Sequence, residues 1–151
     1  MIVRTVLAVV LATALLGVTL PALDDARRER ASVTVTDQVD AIERTATRLH
    51  QTDDPTVGAG ARRIVTMSLP ASDWTTAGVD RFAIRPGSGD SSGTAVWHVD
   101  GGTTHTRALD APRIGTGDGQ PLVLDTAGHH RLVLALDDRS GTAVVTVRRL
   151  K

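Results

Sequence analysis

The chain has 151 residues, of which 17 are basic and 17 acidic, so it carries no formal net charge and lacks the electrostatic footprint of a nucleic-acid-binding protein. It contains no cysteine, which excludes disulfides, thiol catalysis and thiolate metal sites together. Trp74, Phe82 and Trp97 are its only Phe, Trp or Tyr residues, too few for the stacking platforms that hold sugars or single-stranded bases.

Residues 5–23, TVLAVVLATALLGVTLPAL, are uncharged. As a helix this stretch covers about 28 Å, close to the roughly 30 Å hydrocarbon thickness of a bilayer. The favoured reading is a retained membrane anchor, and the competing one is a signal peptide cleaved after Ala22. The run is long for a signal peptide and does not end in a clean A-x-A site. A buried helix of a soluble domain is third, because the stretch has no polar face. Pro21 is expected to kink or stop the helix near its end. Arg4 precedes the run and Arg27, Arg28 and Arg30 follow it. Counting arginines puts the C-terminal part in the cytoplasm; a very short tail before a long C-terminal part is instead the layout of a signal-anchor or secreted protein.

Residues 24–54 read as an amphipathic stem helix. Val35, Val39, Ile42, Ala46 and Leu49 recur at alternating steps of four and three, which aligns them in one seam. The seam is expected to pack on the domain that follows, the alternative being a partner helix. Asp40 and Arg44 stand one turn apart in the favourable acid-first order, and Pro55 ends the segment. The β-branched run Ser32-Val33-Thr34-Val35-Thr36 predicts a short strand or a break, with Thr36 capping a fresh helix.

From residue 55 to 151 the pattern turns to strands, after a small-residue linker at 56–61. Strands are predicted at 62–69, 79–85, 94–99, 104–109, 121–124, 131–136 and 142–148. Between them lie loops at 72–78, 86–93 and 112–119, a tight turn at Asp100-Gly101-Gly102-Thr103, and a hairpin around residues 137–141. In that hairpin Leu136, Leu134 and Leu132 are expected opposite Ala143, Val145 and Val147. Apolar side chains on both faces make the pair central or doubly covered. The fold class is therefore α+β: an N-terminal transmembrane helix continuing into the stem, then an all-antiparallel β domain, either a single sheet on the stem or a β-sandwich.

Candidate sites are few. If Gly101 and Gly102 are the two loop residues of their turn, His98 falls opposite His105, with Asp100 on the same face. Directly opposed side chains lie about 5 Å apart, so the three form a candidate metal site, weighed against an ordinary exposed histidine pair. A metal-dependent hydrolase built on His98 and His105 is the minor reading that follows. His129 and His130 are adjacent on a strand and so point to opposite faces; His50 lies on the stem. Ser68, His98 and Asp100 permit a Ser-His-Asp set, without a G-x-S-x-G elbow. Gly115-Thr116-Gly117-Asp118-Gly119 lacks the lysine and the following helix of a phosphate loop. The basic strand ends Arg62-Arg63 and Arg148-Arg149 could touch anionic headgroups, or simply be solvated. No cofactor and no catalytic residue is indicated.

The order of apolar helix, amphipathic extension and β-rich domain resembles that of type IV pilins and pseudopilins. Together with residues 1–27, the stretch from Trp74 to Arg81 and that from Gly128 to Leu134, it is similar to the small single-span pilin-like proteins that haloarchaea carry with type II/IV secretion or pilus machinery. Only Met-Ile-Val-Arg precedes the apolar run, and the first glutamate is Glu29. The pilin pattern has a leader-peptidase site there and a glutamate near the start of the mature helix. The resemblance thus implies an accessory or minor subunit rather than a major pilin. It also implies an extracytoplasmic C-terminal domain, no catalysis, and as partners the lipid bilayer through residues 5–23 and neighbouring helices of an assembly. The alternative is a secreted or anchored β-sandwich binding module with the N-terminus as a cleaved signal peptide.

Overall fold

A computed structural model describes residues 2–55, 60–87, 92–109, 112–139 and 141–150, the side chain of Val18 excepted. The linker at 56–61, the loops at 86–93 and 112–119 and the hairpin turn thus fall partly, or at their margins, outside the described residues. One helix, α1 (Ile2–Thr52), is followed by eight strands: β1 (Arg62–Leu69), β2 (Val79–Arg85), β3 (Thr94–Val99), β4 (Thr104–Ala108), β5 (Ile114–Thr116), β6 (Leu122–Leu124), β7 (Gly128–Arg139) and β8 (Thr142–Arg149). The layout is α+β, as the change of period in the sequence requires.

α1 runs unbroken through both expected weak points. It passes Pro21, and it passes the β-branched run, where the hydroxyls of Thr34 and Thr36 donate to the Arg30 and Ser32 carbonyls at 2.9 Å each. Those bonds turn inward the groups that would otherwise compete with the helix. Val35 in the middle of the run is wholly buried, so packing overrides its local preference. Ahead of Arg27 every described side chain is exposed; from Ala31 onward the seam Ala31, Val35, Val39, Ile42, Ala46 and Leu49 is buried. The seam packs on the chain's own β domain, the first of the two expected arrangements.

The strands form two four-stranded sheets, ordered β1-β7-β8-β5 and β4-β3-β2-β6. Every described pairing is antiparallel except that of β5 with β8, which is parallel and sets Ile114 beside Val145. The all-antiparallel expectation is corrected there. Ile-Gly-Thr is too short to show a period in the sequence, which reads as a loop there. Its place depends on a close backbone approach: a Cβ on Gly93 would lie 2.6 Å from the Ile114 carbonyl oxygen and 3.0 Å from that of Arg85.

The sheets and α1 share one core. Met67, Leu69, Leu132, Leu134, Leu136, Val145 and Val147 face inward from the first sheet; Phe82, Ile84, Ala95, Trp97, Val99 and Leu124 do so from the second. α1 lies along β1 and β3, with further contacts to β7 and β8. A β-bulge at Asp80 breaks the alternation of β2, which lets Val79 and Phe82, three positions apart, both be buried. β7 is flanked by β1 and β8 and is buried on both faces from Leu132 to Leu136, as its unbroken apolar run suggests. Its register with β8 differs from expectation by two residues: Leu136 faces Val145 and Leu134 faces Val147. A shift of two keeps every side chain on its expected face.

Polar contacts fix the stem to both sheets. Gln38 uses its amide as a strand would: its Nε2 donates to the Ser68 carbonyl at 2.8 Å, and the Ser68 amide donates back to its Oε1. This occupies the free edge of β1. On the other sheet Arg107 reaches Asp40 at 2.6 Å and Glu43 at 2.9 Å. Asp40 thus pairs across to β4 instead of along the helix with Arg44.

Candidate functional site

The first candidate region is the bare end of α1. An 18-residue window has a mean hydropathy of 2.4 and none of it is buried. Apolar side chains all round a projecting helix cannot be left in water without cost, so this helix is long and apolar enough to span a membrane. Where it meets the domain the chain builds a tight junction. The Arg27 guanidinium donates to the Asp73 carbonyl and pairs with Asp24 at 3.3 Å, and the Ala77 amide donates to the Arg27 carbonyl at 3.2 Å. Arg28 pairs with Asp25 at 2.8 Å and lies against the turn glycines Gly101 and Gly102. The loop at 72–78 is shaped by Asp73, whose carboxylate accepts from the Thr75 amide, the Thr75 hydroxyl and the Thr76 amide at 2.7–2.8 Å. Those bonds, the Thr75 hydroxyl first, hold its carboxyl below the ordinary value of 3.8, with a smaller contribution from the charge of Arg27. Trp74, at the tip of this loop, is 85% exposed.

The geometry dissolves the candidate metal site. His98 faces Thr104, and His105 faces Trp97. The turn takes a third residue: Val99 to Gly102 closes with the Gly102 amide donating to the Val99 carbonyl at 2.9 Å, and Gly101 adopts φ +64°. Since Trp97 and His98 are neighbours on a strand, His98 and His105 lie on opposite faces of the sheet. His105 stacks on Trp97 at 5.4 Å between ring centroids and 9° between planes. His98 lies 3.9 Å from Asp80 and 3.4 Å from the Thr104 hydroxyl. Asp100 belongs to the turn, and its amide donates to the Gly78 carbonyl at 2.9 Å. The register follows from the inner face: only this one buries Trp97 while sending Arg107 to the stem carboxylates. Among the described residues no group of three or more His, Asp or Glu could hold a metal ion.

The remaining sequence candidates also stay apart. Ser68 is on the first sheet, opposite His129, while His98 is on the second, so Ser68, His98 and Asp100 form no triad. His129 is exposed and His130 buried, on opposite faces as expected. His130 Nε2 lies 2.6 Å from the Thr126 carbonyl, while its buried Nδ1 has no partner among the described residues. That geometry makes Nε2 the protonated nitrogen, donating to the carbonyl and pinning the turn before β7.

What the structure does bring together are the two basic strand ends. Arg62, Arg148 and Arg149 line one cleft of about 810 Å³ with Arg139, Asp118, Asp137 and Asp138. Ala135 and Thr146 contribute apolar and hydroxyl surface to it, with the Thr146 hydroxyl donating to Asp137 at 2.7 Å. Arg139 is committed to the Thr116 and Gly117 carbonyls at 3.2 Å each. The cleft lies toward the end of the domain remote from the apolar helix: Arg63, next to Arg62, pairs with Asp53 at the far end of the stem at 3.0 Å. Along the stem, Arg27 and Asp53 are about 39 Å apart, which argues against headgroup contact by these arginines. The cleft can offer charged donors and acceptors to a polar group but no aromatic face. Pairing of Arg62 with the chain's last strand through β7 was not readable from sequence, because it depends on non-local strand order.

The fold and these sites define an α+β protein with one N-terminal helix long and apolar enough to span a membrane. The chain belongs to a family described as a domain of unknown function, DUF7311, whose model matches residues 2–150. No curated protein and no solved structure matches it.

Proposed function

We propose that this protein is a membrane-anchored, non-catalytic structural or accessory subunit of a surface-filament or secretion system, pilin-like in layout, with its β domain outside the cytoplasm. The observation that carries the reading is the division of labour within one helix. Its first part is bare and apolar on all sides, and its second packs one apolar face into the core of the β domain. Such a helix transmits the position of the anchor directly to the domain. In lipid the bare segment would associate with neighbouring helices through close packing rather than water exclusion, and Ala8, Ala12 and Ala14 offer small surfaces for it. The deciding measurement is the intact mass of the protein from its own membrane fraction. Full-length mass in membranes supports the reading, and crosslinking then identifies neighbours. A soluble form starting near Leu23 overturns it.

The second reading, a binding module, is favoured by the cleft at Arg62, Arg148 and Arg149. Its volume falls within the ordinary range of ligand pockets. Loss of a ligand's binding in Arg62→Ala/Arg148→Ala, with the domain still folded, supports it.

A further inference from the structure

Trp74 has no structural task within the domain. It is 85% exposed, whereas Trp97 is 4% exposed and sits in the core. We propose that the loop at 72–78 is a second membrane contact, with Trp74 seated at the headgroup level of the bilayer. This rests on the reading of residues 5–23 as a membrane span.

The argument is one of height. If Leu23 marks the edge of the hydrocarbon, Arg27 lies four residues further along the helix, about 6 Å beyond that edge. The headgroup zone on each side of a bilayer is about 5–7 Å deep. Arg27 holds the loop from both sides of its tip, through the Asp73 carbonyl and the Ala77 amide. Trp74 follows Asp73 directly and is therefore delivered to that zone. A tryptophan ring, apolar in body and polar at its N–H, is suited to this boundary. The loop is also shaped before any lipid arrives, because the Asp73 carboxylate holds the Thr75 and Thr76 amides. Little ordering is left to be lost on contact. Charge is not the attraction: Arg27 and Arg28 are each paired with an aspartate one turn back, so the contact is with the bilayer interface itself and does not need anionic lipid. Two contacts, the helix and the tryptophan, fix the tilt of the domain where the helix alone leaves it free to lean.

The test uses the full chain reconstituted into phosphatidylcholine vesicles, with and without lipids brominated near the headgroup end of the acyl chains. Flotation with the vesicles reports the anchor; tryptophan emission reports the loop. Wild type is expected to float and to lose the Trp74 component of its emission to bromine, while buried Trp97 stays bright. Trp74→Ala is expected to float equally well and to show no bromine quenching. A wild type that floats but is quenched no more than Trp74→Ala overturns the lipid contact and leaves Trp74 for a protein partner. A chain that does not float overturns the anchor, and the contact with it.

Discussion

Arg107 shows how much one side chain contributes to joining the stem to the second sheet. Its guanidinium bridges Asp40 and Glu43, both on α1 and both partly shielded from water. Removing it takes away the cation that the two neighbouring carboxylates share, and hydrogen bonds to charged groups are worth about 1.5–3 kcal/mol. Arg107→Ala is expected to lower the stability of the domain by that order in a denaturant titration, whereas Arg44→Ala, on the exposed face, is expected to change it little. Gln38 acts by the same logic with neutral groups. Gln38→Leu strands the amide and carbonyl of Ser68 and is expected to cost about 1–3 kcal/mol. Asp73 adds a pH dependence. Its carboxyl is held below the ordinary 3.8 in the folded loop. The stabilisation is therefore present above that ordinary value and is lost as the pH falls through the lowered one. Acidification should loosen the loop at 72–78 before the core melts, read as an increase in proteolysis of the loop. Asp73→Ala should be cut readily at neutral pH and show no such transition.

At the scale of elements, the stem is held mainly by its buried seam. Leu49 and Ile42 are almost wholly buried, and truncation of such side chains to alanine costs about 2–5 kcal/mol. Leu49→Ala should therefore lower the melting temperature of the domain, and Leu11→Ala, on the bare part of the helix, should leave it unchanged. Equality of the two would mean that the stem does not belong to the core. The seam was legible because it depends only on spacing along one helix, and β2 and β3 were legible because their apolar runs are bounded by turn residues. The rest depended on contacts between distant parts of the chain. Nothing local distinguishes a two-residue from a three-residue loop at Asp100-Gly101-Gly102. The choice is made by Trp97, Arg107 and the stem, and it reverses the face of His105 and with it the candidate metal site. β5 was invisible for a related reason: its three residues are held by a parallel partner, Val145 to Val147, and by the approach that Gly93 allows. The asset of Arg62 and Arg148 is likewise their convergence, which needs the strand order β1-β7-β8.

On the scale of the whole molecule, the two halves of α1 have different surroundings, the first bare and the second packed along one face on the β domain, and this makes their contributions separable. Residues 5–23 add nothing to the core, since their described side chains are exposed throughout; the domain's own cluster begins at Ala31. A substitution that spoils the helix for lipid should therefore leave the β domain intact. Arginine near the centre of a span costs about 2.5–3.5 kcal/mol on insertion scales, and two such residues within a turn exceed what a single short anchor can absorb. Leu11→Arg/Leu15→Arg is expected to move the protein from the membrane fraction to the soluble one. Its domain should keep the wild-type melting temperature measured in detergent. Retention in the membrane fraction after this double substitution would mean that the β domain or a partner holds the protein there, and that residues 5–23 are not what anchors it. Loss of domain stability would mean that the bare half of α1 packs on the domain after all, and the separation of the two halves would then fail.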